Sequence, residues 1–79
     1  MRKAIAVAWF QHGGHSFGIV VTENSEGDAK AWIGVVAGVN ETKDIINIAN
    51  SGAKFPLVAA CQVIETNGTN FIEPIEIPG

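Results

Sequence analysis

The stretch Asn40-Glu41-Thr42-Lys43-Asp44-Ile45-Ile46-Asn47-Ile48-Ala49-Asn50-Ser51-Gly52 decides the fold class. It has a start, a stripe and a stop. Asn40 suits an N-cap, because its side-chain oxygen accepts from the unpaired backbone N–H groups of a first helical turn. Glu41 and Asp44 place negative charge where the helix dipole favours it. Ile45, Ile48 and Ala49 fall at i, i+3 and i+4 and form one apolar stripe. Gly52 suits the position just past a helix, where a left-handed residue ends it. The segment separates a strand-patterned first half from a helix-patterned second half.

Working back from Asn40, three strands are expected. The first covers residues 3–11, with Ile5, Val7 and Trp9 on one face and Ala4, Ala6, Ala8 and Phe10 on the other. Both faces are apolar, so this strand should be central or covered on two sides. His12-Gly13-Gly14 is a turn, since glycine reaches positive φ without steric cost. The second strand runs from His15 to Glu23 and ends in the polar turn Asn24-Ser25-Glu26-Gly27-Asp28. The third covers Ala29 to Val39, with Trp32, Gly34, Val36 and Gly38 on one face. Short turns between three such strands make an antiparallel meander.

Forward of Gly52, the run from Phe55 to Gly68 fits either helix or strand over residues 56–66. Leu57, Ala60, Cys61 and Ile64 match a helical stripe, Pro56 suits a first helical position and Asn67-Gly68 a stop. The run of about 11 residues is long for a strand, which favours helix. Residues 69–77 read as a last strand. Pro74 removes a ladder donor there and confines it to an edge, or to an arm docking on another subunit. The expected architecture is a single α+β domain over residues 1–79, of order β-β-β-α-α-β. In it, a three-stranded antiparallel meander precedes two short helices packed on one sheet face and a C-terminal edge strand.

Composition limits the function classes. The chain has 79 residues, 47% of them hydrophobic and 16% charged, against a usual charged share of about 25%. A domain this small cannot hide so many apolar side chains in its own core, so a homo-oligomer or a large contact surface is expected. The net charge is -3, and the five basic residues, Arg2, Lys3, Lys30, Lys43 and Lys54, are scattered. Nucleic-acid binding, which relies on a basic stripe, is not expected. No run approaches the roughly 18 apolar residues of a membrane span. Cys61 is the single cysteine, so no intramolecular disulfide forms, and a reduced cytoplasmic setting fits. With no basic neighbour, Cys61 reads as a small buried hydrophobe.

No catalytic signature stands out. His12-Gly13-Gly14-His15 is the most suggestive short stretch. It reads first as a hairpin turn with polar flanks, and second as a ligand contact, since a Gly-Gly turn exposes backbone N–H groups beside two imidazoles. A metal site would need further ligands. Gly34-Val35-Val36-Ala37-Gly38-Val39-Asn40 leads into a helix start but lacks the Walker and dinucleotide fingerprints. Its glycines read as room for Trp9 or Phe17. The aromatics Trp9, Phe10, Phe17 and Trp32 belong to the core by default, yet two tryptophans are hard to bury in so small a domain.

These readings converge on a small non-catalytic binding or sequestering protein that acts as a homo-oligomer, with no cofactor and no metal. Its ligand would be small and anionic or nucleotide-like, held between subunits by Trp9, Phe10, His12, Gly13, Gly14, His15, Asn40 and Lys43. In size and style the chain resembles phage-type counter-defence factors, though no motif carries that likeness. An alternative is a protein-interaction inhibitor or subunit that engages a host protein through Trp32, Phe71 and Ile75, on an aromatic face or an edge strand. A small enzyme with His12 or His15 as general base is a third reading, for which no second catalytic group is visible.

Overall fold

A computed structural model of the protein describes residues 2–36, 42–66 and 71–78. Its elements are β1 (Arg2–His12), β2 (His15–Glu23), β3 (Ala29–Val35), α1 (Thr42–Ser51), β4 (Ala53–Phe55), α2 (Leu57–Thr66) and β5 (Phe71–Ile77). The strands form one sheet of order β4-β3-β2-β1-β5 with every pairing antiparallel. This is an α+β fold built on the expected β1–β2–β3 meander.

The β1–β2 hairpin starts from its turn. Gly13 and Gly14 take φ of 59° and 79°, the pair of positive values that a two-residue type I′ turn requires. His12 and His15 then face each other as the last ladder pair. At the far end the register slips between Ala4 and Ala6, in the ladders to both β2 and β5. A bulge inserts one extra residue and re-aims the chain. Ala4 therefore joins Val7 on one face, while Ile5 packs with Ala6 and Ala8 on the other. The simple alternation expected for this strand, Ile5 with Val7 and Ala4 with Ala6, fails at that bulge.

The two helices do not share a face. Ile45, Ile48 and Ala49 of α1 pack against Val7, Val20 and Val36. Ala60 and Ile64 of α2 pack against Ala8, Ile19 and Ala31 on the opposite side. Central strands that are apolar on both faces need cover on both, and β4 supplies the geometry. This three-residue strand pairs with β3 at the sheet edge and carries the chain around that edge between the helices. Its brevity hid it in the sequence, so the expected α-α step is α-β-α.

Residues 57–66 are helical, as their length suggested, but the inward stripe is Ala60, Val63 and Ile64. Leu57 and Cys61 turn outward, and Cys61 is exposed rather than buried. The sequence stripe grouped them through a spacing of four that both faces of a helix satisfy. Pro74 lies in β5, which is an edge strand as its missing N–H required.

Gly52 ends α1 by space rather than by a left-handed turn. It is not among the positive-φ residues, and its N–H donates to the Ile48 carbonyl at 2.8 Å. A Cβ there would lie 2.5 Å from the Ile48 carbonyl oxygen and 2.8 Å from that of Ile33. Both neighbours are backbone and cannot swing away. Gly52→Ala should therefore destabilise the fold by about 3 kcal/mol, the upper part of the range for forced packing, as read by urea denaturation.

Candidate functional site

The hairpin gathers an aromatic cluster on the side of the sheet that α2 covers. Phe10 and Phe17 are cross-strand partners, their rings stacked with centroids 5.5 Å apart and planes 22° from parallel. His15 meets Phe17 edge-on at 6.3 Å. His12 and His15 pair across the strands two residues further on, so strand alternation places them on this same face. Both imidazoles are exposed, and the phenyl rings are half-buried. Val35, the ladder partner of Phe17, extends the surface and is 66% exposed. α2 packs nearer the strand middles, over Ala8, Ile19 and Ala31, and no other described element packs over this end of the sheet.

Of the residues expected to bind a ligand, Phe10, His12, Gly13, Gly14 and His15 come together here. Trp9 does not join them. It points to the α1 side, where its ring lies over Gly18, 2.6 Å from where a Cβ would stand. Successive strand residues face opposite ways, so Trp9 and Phe10 never shared a surface. The sequence assigned that close approach to Gly34; Gly34 instead makes room for Ile48. Lys43 is exposed on α1, across the sheet from the aromatic cluster. Asn40 lies outside the described residues, as do Gly38 and Glu41.

Among the residues expected to contact a partner, Trp32 is engaged internally. It is half-buried against the α1-side core, and its indole Nε1 donates to the Thr22 hydroxyl at 3.0 Å. The Arg2 guanidinium carbon stands 5.9 Å from the centre of its ring, within the range of a cation–π contact. Thr22 is 2% exposed, so its hydroxyl depends on that indole. Ile75 packs on the same core and pairs with Ala4. Phe71 begins β5, opposite Ala6 in the ladder. Trp32 and Ile75 thus belong to the α1-side core rather than to an outward surface.

Phe17 and Val35 complete the hairpin surface and were not singled out as site residues. The signal was available: a two-residue turn at Gly13-Gly14 fixes Phe10 opposite Phe17. Two clefts lie elsewhere. One of about 490 Å3 is lined by Lys3, Ile5, Glu23 and Pro74 at the opposite end of β1. A smaller one of about 160 Å3 sits between α1 and β3, beside Asn47 and Ser51. Val35 borders the smaller cleft, while Phe10 and Phe17 line neither, and among the described residues their rings present a surface suited to a flat ligand or to another protein surface.

Among the described residues, no cluster of three or more His, Cys, Asp or Glu is placed to hold a metal ion. No described helix is long and apolar enough to cross a membrane. Set against protein-family models, curated proteins and solved structures, the chain matches none.

The Trp32–Thr22 hydrogen bond is testable by itself. Thr22→Val keeps the shape and leaves the indole N–H without its acceptor. The expected loss is about 1 kcal/mol, the net worth of one hydrogen bond at a part-buried site, measured by chemical denaturation followed through tryptophan fluorescence.

Proposed function

We propose that this is a non-catalytic binding protein that acts as a homo-oligomer and holds a small anionic, nucleotide-like ligand on the hairpin surface. The observation that supports the reading is the stacked Phe10–Phe17 pair with His12 and His15 beside it. A flat aromatic platform takes a nucleobase by stacking, a contact worth about 1–3 kcal/mol per base. Imidazole N–H groups and the backbone of a tight glycine turn supply donors for an anion next to that platform. In a chain of net charge -3, long-range attraction gives such a ligand no help, so affinity must come from these local contacts. Sequestration of a nucleotide-like signal in the cytoplasm is the role such a site would serve.

The oligomer part of the reading rests on apolar surface. With 47% hydrophobic residues, the fold still leaves Val35, Val58 and part of Leu57 in solvent. A small chain recovers that loss by burying such surface against another copy.

Thermal denaturation against a panel of mono-, di- and cyclic nucleotides tests the ligand. A binder present at 100 times its Kd should stabilise the native state by about 2.7 kcal/mol, seen as a rise of several degrees in Tm. Phe10→Ala, and His12→Ala combined with His15→Ala, should abolish that rise. Lys43→Ala, on the other face, should leave it intact. A panel in which no nucleotide moves Tm would reject the ligand class.

A further inference from the structure

The hairpin tip carries two imidazoles that the fold brings together. His12 and His15 are the last ladder pair before the turn, so their side chains leave the sheet on one face, with Cβ atoms about 5 Å apart. Both are exposed. The His15 ring rests edge-on against Phe17, with ring centres 6.3 Å apart and planes 68° from parallel, and Phe17 is itself stacked on Phe10. That backing limits the rotamers open to His15, so less entropy is lost when it holds a ligand. No hydrogen bond or ion pair engages a ring nitrogen of either histidine among the described residues.

The surroundings define what such a pair can bind. Residues 10–17, Phe-Gln-His-Gly-Gly-His-Ser-Phe, hold no Lys, Arg, Asp or Glu. Cys61 is exposed on α2, which packs over the strand middles rather than the tip. Within residues 10–17 the soft or borderline donors are therefore the two imidazoles alone. Neutral imidazole nitrogen suits Zn2+, Cu2+ and Ni2+, whereas Mg2+ and Ca2+ select oxygen. Rings rooted about 5 Å apart can converge on one ion that holds each nitrogen at about 2.0–2.1 Å.

We propose that His12 and His15 together chelate one divalent transition-metal ion of the zinc, copper or nickel class. Two ligands from the chain fall short of the four that close a structural zinc site, so the ion keeps positions for exchangeable ligands. Those positions suit the oxygens of a phosphate, held beside the Phe10–Phe17 rings. The inference deepens the ligand reading above. Residues 10–17 offer an anion no Lys or Arg, and the ion supplies the missing positive charge. The ion's role rests on that reading; its binding does not. Both histidines are necessary, because once one ring holds the ion the other meets it within the same molecule.

Isothermal titration of the untagged Cys61→Ser chain with Ni2+, Zn2+ and Mg2+ is the test; that substitution removes the exposed thiol as a rival ligand. One Ni2+ or Zn2+ should bind per chain, and Mg2+ should give no binding heat. Proton NMR should show both imidazole ring signals moving together over the Zn2+ titration. His12→Ala and His15→Ala should each weaken binding at least tenfold, with an unchanged far-UV circular dichroism spectrum. Failure of both Ni2+ and Zn2+ to bind, two independent ions per chain, or a single-histidine variant that binds as tightly as its parent overturns the chelate. In the chain with both histidines, the nucleotide-induced rise in Tm should be larger with Ni2+ than in EDTA. A rise that EDTA leaves unchanged overturns the ion's role and leaves the ligand reading standing. A chain that binds the ion and no nucleotide supports the chelate and overturns the ligand reading.

Discussion

Ile48 sits where three glycines meet. Cβ atoms added to Gly18, Gly34 and Gly52 would lie 2.7, 3.1 and 3.2 Å from its side chain, so β2, β3 and the joint between α1 and β4 are all cut back to receive it. Helix α1 approaches the sheet this closely because those three positions carry no side chain. The same hollow accepts the Trp9 ring over Gly18. With α1 held there, the chain emerges from the helix at Gly52 in line to pair with β3, and β4 follows. Core packing is dense enough that a single methyl group in such a hollow is felt, which makes Ile48 the contact around which the α1 half of the molecule is arranged.

The opposite half is built more loosely. α2 brings Ala60, Val63 and Ile64 to the sheet and leaves Leu57, Val58 and Cys61 to solvent. It covers the middle of the strands and stops short of the hairpin. Small side chains on the strands, Ala6, Ala8 and Ala31, let α2 lie close. The larger rings of Phe10 and Phe17 begin where that coverage ends. That α2 stops short of the aromatic surface is thus a consequence of residue size along β1 and β2. The proposed ligand surface falls at this end of the sheet, which α2 does not reach.

Much of the fold was legible because its signals are local. Gly13-Gly14 announces a hairpin through backbone stereochemistry, and from that turn the Phe10–Phe17 and His12–His15 pairings follow by counting. Pro74 announces an edge through its missing donor. What stayed hidden depends on contacts between distant segments. The bulge at Ala4–Ala6 leaves no mark in a run of small apolar residues. β4 is three residues long and borrows its stability from β3. Whether two helices lie on one face or two depends on how the chain rounds the sheet edge, a property no periodicity encodes. Trp9 and Phe10 were grouped as one surface even though neighbours in a strand face opposite ways, and the alternation already written along β1 was enough to separate them.

Arg2 and Ile77 are partners in the β1–β5 ladder. The Arg2 guanidinium donates to the Ala49 carbonyl and to the Asn50 side chain, and Asn50 in turn donates to the Pro78 carbonyl. One helix end thus clasps both extremities of the described chain in a single polar knot. Peeling β5 from the sheet therefore also pulls on the last turn of α1, and the edge strand and the helix loosen together.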